Sequence, residues 1–230
     1  MDTVVLIPAY KPDHALVKTV VELYSLGYRL VVVDDGGGEA YDPVFALVSR
    51  FAVILRKKQN HGKGAALKSG FGYIQKNMPD ARYVITADAD GQHKPVDIAK
   101  VDAALHEGDS FVIGSREFVG DVPARSLIGN KITCAVFAAV SHVKVGDTQT
   151  GLRGFSSDLL PWLCDVPGYR YEYEMNMLLD GAKREIPIRE VAIETVYENG
   201  NSSSHFDPFK DSARIYKCIF SYAFGKNSGK

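Results

Sequence analysis

Residues 3–33, TVVLIPAYKPDHALVKTVVELYSLGYRLVVV, contain two β-branched runs that flank a stretch with helical spacing. The runs Thr3–Ile7 and Arg29–Val33 are typical of buried strands. Between them, apolar side chains recur three or four residues apart from Leu16 to Tyr24, which is the pattern of an amphipathic helix. A strand, a helix and a second strand in this order predict a parallel β-α-β unit.

The same alternation continues along the chain. The further predicted strands are residues 52–55, 82–86, 110–114 and 189–197, and the further predicted helices are residues 63–77, 126–141 and 172–182. This order predicts an α/β fold, with a mostly parallel sheet flanked by helices on both faces. We expect one domain over residues 1–208, in which residues 198–204 form a polar loop. A basic, aromatic, amphipathic helix is expected over residues 209–230.

Composition narrows the class of protein. The 230 residues are 46% hydrophobic, and 27 Lys and Arg nearly balance 28 Asp and Glu, which argues against a general nucleic-acid binder. Cys134, Cys164 and Cys218 show no CxxC spacing, as expected of reduced thiols in a cytoplasmic protein. No secretory signal is evident, and the apolar stretch 132–143 is shorter than the ~20 residues of a spanning helix. The C-terminal segment either lies on an anionic membrane surface or packs as an ordinary helix.

Polar, glycine-containing clusters follow four of the predicted strands, where α/β sheets bind ligands. Asp88 and Asp90 can face one hard cation such as Mg²⁺ or Mn²⁺, the alternative being a solvated acidic turn. Gly62-Lys63-Gly64 before a helix can offer N–H groups and one cation to a diphosphate. It is not a Walker A loop, and no GxGxxG follows the first strand. The four clusters are Pro8–Lys11, Asp34–Gly38, Asn60–Gly64 and Asp88–His93.

Six short motifs in order resemble the family-2 inverting glycosyltransferases of GT-A fold. Within that family the chain is most similar to the polyprenyl-phosphate sugar transferases, which include dolichol-phosphate mannosyltransferases and bacterial glucosyltransferases. The resemblance covers residues 3–200. The motifs are Pro8-Ala9-Tyr10, Asp34-Asp35-Gly36, Asn60-x-Gly62-Lys63-Gly64-x-Ala66, Asp88-x-Asp90-Gly91-Gln92-His93, Gly114-Ser115-Arg116 and Asp147-x-Gln149-Thr150-Gly151-x-Arg153.

The resemblance implies a role for each matching residue. The nucleotide sugar would be held by Pro8, Ala9, Tyr10, Asp34, Asp35, Lys63, Asp88 and Ala89. The metal, Mg²⁺ or Mn²⁺, would be held by Asp88, Asp90, Gln92 and His205. The acceptor phosphate would be gripped by Arg116, Arg125 and Arg153, since a guanidinium can contact two phosphate oxygens at once. Catalytic roles would fall to Asp90, Asp147, Arg116 and Glu174.

The chain departs from the family pattern in ways that bear on the acceptor. It has Gly36-Gly37 where Gly-Ser is usual, and it lacks the QxxRW signature of the processive synthases. The Glu-Asp pair that supplies a general base for hydroxyl acceptors is absent, and Glu172 and Glu174 occupy that region. A phosphate monoester has a second pKa of ~6 and needs no such base.

The resemblance therefore implies transfer of a hexose to a polyprenyl phosphate at the cytoplasmic face of a membrane. UDP-glucose is the favoured donor and GDP-mannose the second. The alternatives are transfer to a glycan hydroxyl, a sugar-1-phosphate nucleotidyltransferase, or a silent nucleotide-sugar-binding module. An oligomer is possible. The loop over residues 198–206 is expected to close on bound nucleotide through His205, the alternative being an ordinary exposed loop.

Overall fold

The predicted β-α-β unit forms at the start of the chain. The computed structural model describes residues 1–117, 124–194 and 210–225. Val5 of the first strand pairs in parallel with Leu30 of the second. Leu16 and Leu23 of the intervening helix are fully buried in the same apolar cluster as these strands. The apolar spacing therefore does place one face of the helix on the sheet.

Seven strands and eight α-helices lie within the described residues. The strands are β1 (Thr3–Ala9), β2 (Arg29–Asp34), β3 (Val53–Arg56), β4 (Tyr83–Thr86), β5 (Phe111–Glu117), β6 (Arg153–Ser156) and β7 (Arg189–Glu194). The helices are α1 (His14–Ser25), α2 (Asp42–Val48), α3 (Lys63–Asn77), α4 (Pro95–His106), α5 (Ala124–Ser141), α6 (Leu160–Asp165), α7 (Glu172–Lys183) and α8 (Lys210–Ala223).

All seven strands form one sheet in the order β3-β2-β1-β4-β6-β5-β7. β6 is antiparallel to both of its neighbours, β4 and β5, and every other pair is parallel. The order reverses direction between β1 and β4, which is the kind of point where α/β sheets bind ligands. The expectation of a mostly parallel sheet flanked by helices is confirmed.

Both faces of the sheet are covered, and β1 shows why. Val4 and Leu6 belong to the apolar cluster on one face, whereas Val5 and Ile7 belong to the cluster on the other. Successive side chains of a strand point to opposite faces, so a continuous apolar run is what a doubly covered strand requires. Helices α1, α2 and α4 pack on one face, and α3, α5, α6, α7 and α8 contribute to the other.

The predicted elements are present among the described residues, with small shifts at their ends, and residues 195–197 of the predicted last strand lie outside the described residues. Several elements were not predicted. Helix α3 has the predicted bounds, 63–77. α2, α4, α6 and β6 were missed: α2 and α6 have seven and six residues, and β6, with sequence RGFS, has no β-branched residue to mark it as a strand. The predicted loop at 198–204 and the boundary at 208 lie outside the described residues.

Helix α8 lies within the predicted C-terminal segment. Its Ile215 and Ile219 are buried in the cluster that also holds Phe137 of α5 and Leu178 of α7. Composition did not decide whether this segment packs on the domain, and the structure shows that one face of α8 does. The other face, with Lys217 and Phe220, is exposed. None of the helices that the structure describes has an apolar stretch long enough to cross a bilayer.

Candidate active site

A cavity of about 650 Å³ opens at the carboxyl edge of the sheet, where the parallel strands end. It lies between the ends of β1 and β4, the start of α3 and the segment before α7. The strands are parallel, so their exits meet at one edge, as the sequence indicates. Eight predicted site residues line this cavity: Pro8, Ala9, Tyr10, Asp35, Lys63, Asp88, Ala89 and Asp90.

The first strand exit carries a strained turn. Lys11 has a φ of 51°, the left-handed conformation that a residue with a Cβ adopts at a cost. Its ammonium lies 5.2 Å from the centre of the Tyr10 ring, and both residues line the cavity. Lys11 belongs to the predicted strand-exit cluster but was given no role of its own, because a lysine after a strand gives no signal of a positive φ. The turn places a cation and an aromatic face together in the lining of the cavity.

The two aspartates after β2 organise the neighbouring loops. Asp34 Oδ1 accepts a hydrogen bond from the Gly37 N–H at 3.0 Å, which closes its own turn. Asp35, almost fully buried, accepts from the N–H groups of Gly62 at 2.7 Å and His61 at 3.2 Å. Asp35 lines the cavity and Asp34 does not. Asp35 therefore connects the end of β2 to the start of α3.

Gly62, just before α3, requires its own residue type. Its φ is 102°, and a Cβ at this position would lie 2.5 Å from the Tyr169 carbonyl oxygen. The N–H of Ala65 donates to the same carbonyl at 2.9 Å. A side chain at Gly62 would thus push the segment before α7 away from the start of α3. This contact sets where Lys63, the first residue of α3, enters the cavity.

Four charged or ionisable side chains form a group that we call the Lys63 cluster: Lys63, Asp88, Glu174 and His93. Lys63 Nζ lies 2.7 Å from Asp88 Oδ1 and 3.0 Å from Glu174 Oε1. His93 Nε2 lies 3.2 Å from Asp88 Oδ2. Burial alone would raise the pKa of Asp88, but the Lys63 charge and the His93 hydrogen bond outweigh it and lower that pKa. Asp88 is therefore ionised at neutral pH.

Asp90 lies beside this cluster in a different electrostatic state. Burial, and then the charge of Asp88, raise the pKa of Asp90. Its Oδ1 accepts from the Gln92 N–H at 3.1 Å, and it has no ion pair with any residue that the structure describes. Gly151 approaches Asp88 so closely that a Cβ there would lie 2.3 Å from Asp88 Oδ2. Asp88 is thus held in a restricted space.

These two carboxylates fit a hard divalent ion that takes its remaining ligands from elsewhere. A cation beside Asp90 would offset the cost of burying its charge and the repulsion from Asp88, which together raise its pKa. The described residues contain no group of three His, Cys, Asp or Glu side chains arranged to hold a metal. Mg²⁺ commonly binds through one or two carboxylates and completes its shell with substrate phosphates and waters. His205, predicted to join this site, lies outside the described residues.

A second charged group, the Arg116 pair, lies at the end of β5. Arg116 Nε is 2.5 Å from Asp147 Oδ2, and its Nη2 is 3.0 Å from Oδ1. Asp147 is fully buried and also accepts from the Gln149 N–H at 2.9 Å. Both Asp147 oxygens are engaged, so the contacts are those of a residue that orients Arg116 rather than of a free base.

The other two predicted arginines differ from Arg116. Arg125 belongs to the first turn of α5, and its side chain lies outside the described part of the structure. Arg153 is 1% exposed, and its guanidinium donates to the carbonyl oxygens of Thr150, Glu174 and Thr148. It joins β6 to the start of α7 and offers no donor to the cavity. We therefore leave Arg153 out of the proposed phosphate contacts.

The segment before α7 supplies two cavity residues that sequence analysis missed, Arg170 and Tyr171. Burial raises the pKa of Tyr171 to about 12, so the phenol stays protonated. Glu172 Oε1 accepts from the N–H groups of Tyr169 and Arg170, which fixes this segment at the helix start. The aromatic and charged run at 169–174 is a sequence signal that could have directed attention to this side of the cavity.

Comparisons with known proteins agree with this geometry. The family described as Glycosyl transferase family 2 matches residues 4–150. A UDP-N-acetylglucosamine–dolichyl-phosphate N-acetylglucosaminyltransferase of Methanococcus voltae is 28% identical over 84% of this chain and 84% of its own. A dolichyl-phosphate beta-glucosyltransferase of Dictyostelium discoideum is 28% identical over 87% of this chain and 64% of its own.

The fold also matches a solved structure. Glucosyl-3-phosphoglycerate synthase of Mycobacterium tuberculosis, crystallised with Mn²⁺, UDP and glucosyl-3-phosphoglycerate, superposes with a TM-score of 0.67 at 17% identity. The match covers 97% of this chain and 79% of that one. The sheet order, the strand-exit cavity and the matched residues 4–150 lead to one assignment: the chain is a glycosyltransferase of GT-A fold and belongs to glycosyl transferase family 2.

Proposed function

We propose that this chain transfers a hexose from a nucleotide sugar to a polyprenyl phosphate, with inversion at the anomeric carbon. The observation that carries the proposal is the Asp88–Asp90 pair, which lines the strand-exit cavity together with Lys63. Two relatives are named for transfer to dolichyl phosphate, a polyprenyl phosphate, which supports the acceptor class. UDP-glucose is the first donor candidate, and GDP-mannose is the second.

The donor would occupy the cavity. Tyr10 offers an aromatic face to the base, and Asp35 offers carboxylate oxygens to base or ribose. Lys63, at the first position of α3, places a cation near the diphosphate, where helix N–H groups also favour negative charge. A divalent ion held by Asp88 and Asp90, Mg²⁺ or Mn²⁺, would offset the charge of the departing nucleoside diphosphate.

The acceptor phosphate needs no general base, and the charged groups of the site are consistent with this. A phosphate oxygen forms the new bond to the anomeric carbon while the bond from that carbon to the diphosphate breaks. Glu174 and Asp147, the carboxylates predicted for catalysis, are ion-paired with Lys63 and Arg116 respectively. Neither is an uncommitted base for a sugar hydroxyl, which favours a phosphate over a glycan hydroxyl. Arg116 is our choice for the residue that meets the acceptor phosphate.

Delivery of a lipid acceptor requires contact with a membrane. Helix α8 exposes Lys217, Phe220 and Phe224, and α5 beside it exposes Ile128 and Ile132. A surface that combines apolar side chains with a lysine suits an anionic lipid headgroup layer. We therefore propose that the protein acts as a peripheral protein at the cytoplasmic membrane face, with α8 and α5 towards the lipid.

The test is a transfer assay over a donor panel. Purified protein is incubated with radiolabelled UDP-glucose, UDP-N-acetylglucosamine or GDP-mannose, with Mg²⁺, Mn²⁺ or EDTA, and with polyprenyl phosphate or unphosphorylated polyprenol. Lipid-extractable label should form only with the phosphate and a divalent ion. Equal transfer to the unphosphorylated alcohol, or full activity in EDTA, would contradict the acceptor or the metal assignment, respectively.

A further inference from the structure

The Lys63 ammonium already forms an ion pair with one of the two carboxylates that fit a metal. It lies 2.7 Å from Asp88 Oδ1, and its side chain is only 15% exposed. The other oxygen of Asp88 faces His93 Nε2 at 3.2 Å. Both oxygens of Asp88 therefore have a partner within the chain. Asp90 has none of comparable charge among the described residues, so the two carboxylates are not equivalent towards an incoming cation.

A divalent ion cannot simply join this arrangement. Mg²⁺ binds a carboxylate oxygen at 2.0–2.1 Å, and an ammonium 2.7 Å from the same oxygen would be close enough to repel it strongly. For the ion to use Asp88 Oδ1, Lys63 must leave it. Competition between the two cations for one oxygen is thus built into the site.

Glu174 gives Lys63 a place to remain when it leaves Asp88. Glu174 Oε1 is 3.0 Å from the ammonium, and Glu174 is 7% exposed. Its backbone carbonyl accepts a hydrogen bond from the buried Arg153 at 2.7 Å, which fixes the first turn of α7. A nucleoside diphosphate in the cavity would add further anionic oxygens for the ammonium. The charge on Lys63 can then be satisfied without Asp88.

We propose that Lys63 serves as the cation that neutralises Asp88 before the donor binds, and that it makes divalent-ion binding conditional on the donor diphosphate. This deepens the proposed function and rests on its metal and donor sites. Without nucleotide, Lys63 neutralises Asp88 and the ion binds weakly. With nucleotide, Lys63 turns to Glu174 and the diphosphate, and Asp88 becomes available beside Asp90.

The test measures Mn²⁺ binding directly, by the electron paramagnetic resonance signal of the free ion, so no turnover is needed. Lys63→Met removes the charge and keeps an unbranched side chain of similar length. With Mn²⁺ alone, it should bind the ion at least about tenfold more tightly than the unsubstituted protein, a change of ~1.4 kcal/mol. Lys76→Met, at the exposed end of α3, is the matched control and should leave the affinity unchanged.

A second variant should move the affinity in the opposite direction. Glu174→Gln removes the alternative partner of Lys63 and leaves the ammonium to Asp88, so Mn²⁺ alone should bind more weakly. In the unsubstituted protein, UDP or GDP should tighten Mn²⁺ binding, measured against the same Mn²⁺–nucleotide mixture without protein. The increase in Mn²⁺ affinity caused by the nucleotide should be smaller in Lys63→Met than in the unsubstituted protein. Thermal unfolding of each variant establishes that it is folded, and Glu174→Gln carries the test if Lys63→Met is not.

The outcomes separate this proposal from the proposed function. The proposed role of Lys63 as the cation of Asp88, which we call the placeholder role, would be overturned by either of two results. One is unchanged or weaker Mn²⁺ binding by a folded Lys63→Met variant, and the other is tighter binding by Glu174→Gln. Either result would leave the transferase assignment untouched. Tighter Mn²⁺ binding by Lys63→Met supports the placeholder role even if the donor panel yields no transfer, because the measurement uses the ion alone.

Discussion

The Lys63 cluster and the Arg116 pair lie at the same edge of one sheet, yet they hold their charges in different ways. In the cluster, one ammonium is shared between two carboxylates, Asp88 and Glu174, and faces a cavity. In the pair, one guanidinium makes two contacts with a fully buried carboxylate, Asp147. The first arrangement can exchange partners, whereas the second holds one geometry.

The difference follows from which charges would lose their partner if the ion pairs in each group separated. When Lys63 leaves Asp88, it keeps Glu174, and the carboxylate faces a cavity that can hold a cation. When Arg116 leaves Asp147, a carboxylate with no exposed surface loses its charge partner, which costs several kcal/mol. The cluster is thus suited to ligand exchange and the pair to positioning. Three substitutions test this contrast and a fourth tests the proposed membrane contact of α8, in order from the largest expected effect to the smallest.

Asp90→Asn is the strongest test of the metal site beside the Lys63 cluster. Loss of its charge should reduce metal-dependent transfer at least about a thousandfold, a barrier increase of ~4 kcal/mol. Stability should be unchanged or higher: burial and Asp88 raise the Asp90 pKa on folding, so its charge at neutral pH opposes folding. Asp165→Asn, at the exposed end of α6, is the control. Transfer by Asp90→Asn comparable to that control would remove Asp90 from the metal site.

Arg116→Ala tests whether the pair serves the acceptor. Transfer to polyprenyl phosphate should fall about a hundredfold, the loss of one charge-assisted bidentate contact of ~3 kcal/mol. Affinity for UDP, measured by calorimetry, should change by less than about threefold, a free energy of ~0.6 kcal/mol. Arg50→Ala, on the exposed surface after α2, provides the comparison. An equal collapse of nucleotide affinity would assign Arg116 to the donor instead.

Asp147→Asn tests the fixed side of the comparison through stability. The neutral amide cannot balance the charge of Arg116, so the substitution breaks the ion pair. The free energy of unfolding should therefore fall by about 2–3 kcal/mol. This is less than for a fully buried pair, because Arg116 is partly exposed. Chemical denaturation measures this, and the double variant with Arg116→Ala shows how much of it belongs to the pair. A loss of activity with full stability would instead favour a direct chemical role for Asp147.

Lys217→Ala probes the surface near neither charged group and should give the smallest change. Binding to vesicles that contain anionic lipid should weaken about fivefold, since one basic residue contributes ~1 kcal/mol there. Lys76→Ala, at the end of α3, should bind as the unsubstituted protein does. If the two variants bind alike, α8 does not face the lipid. Vesicles of neutral lipid should not distinguish any of the proteins.

Several features of the site were predictable because they depend on local patterns. The motif of Asp88 and Asp90 follows an apolar strand, and the start of α3 at Lys63 follows a glycine turn. Parallel strands bring their carboxyl ends to one edge, so a polar cluster after each strand predicts a shared site. Eight of the predicted site residues meet in one cavity for this reason.

Other features depend on contacts between segments far apart along the chain. β6 is antiparallel between β4 and β5, and its four residues carry no pattern that would place it there. Arg153 matched a phosphate-binding position in sequence, but the packing of β6 against α7 buries it. A guanidinium on a strand looks the same in sequence whether it faces a ligand or a carbonyl.

The sequence by itself determined the alternation of strands and helices, the polar strand exits and the acidic pair. These follow from hydrophobic period and turn chemistry, which act over a few residues. Only the tertiary structure decided that Lys63 is shared between Asp88 and Glu174, and that Asp147 is committed to Arg116. The physical reason is that electrostatic partners are set by distance in space, and packing alone fixes the distance between residues on separate elements.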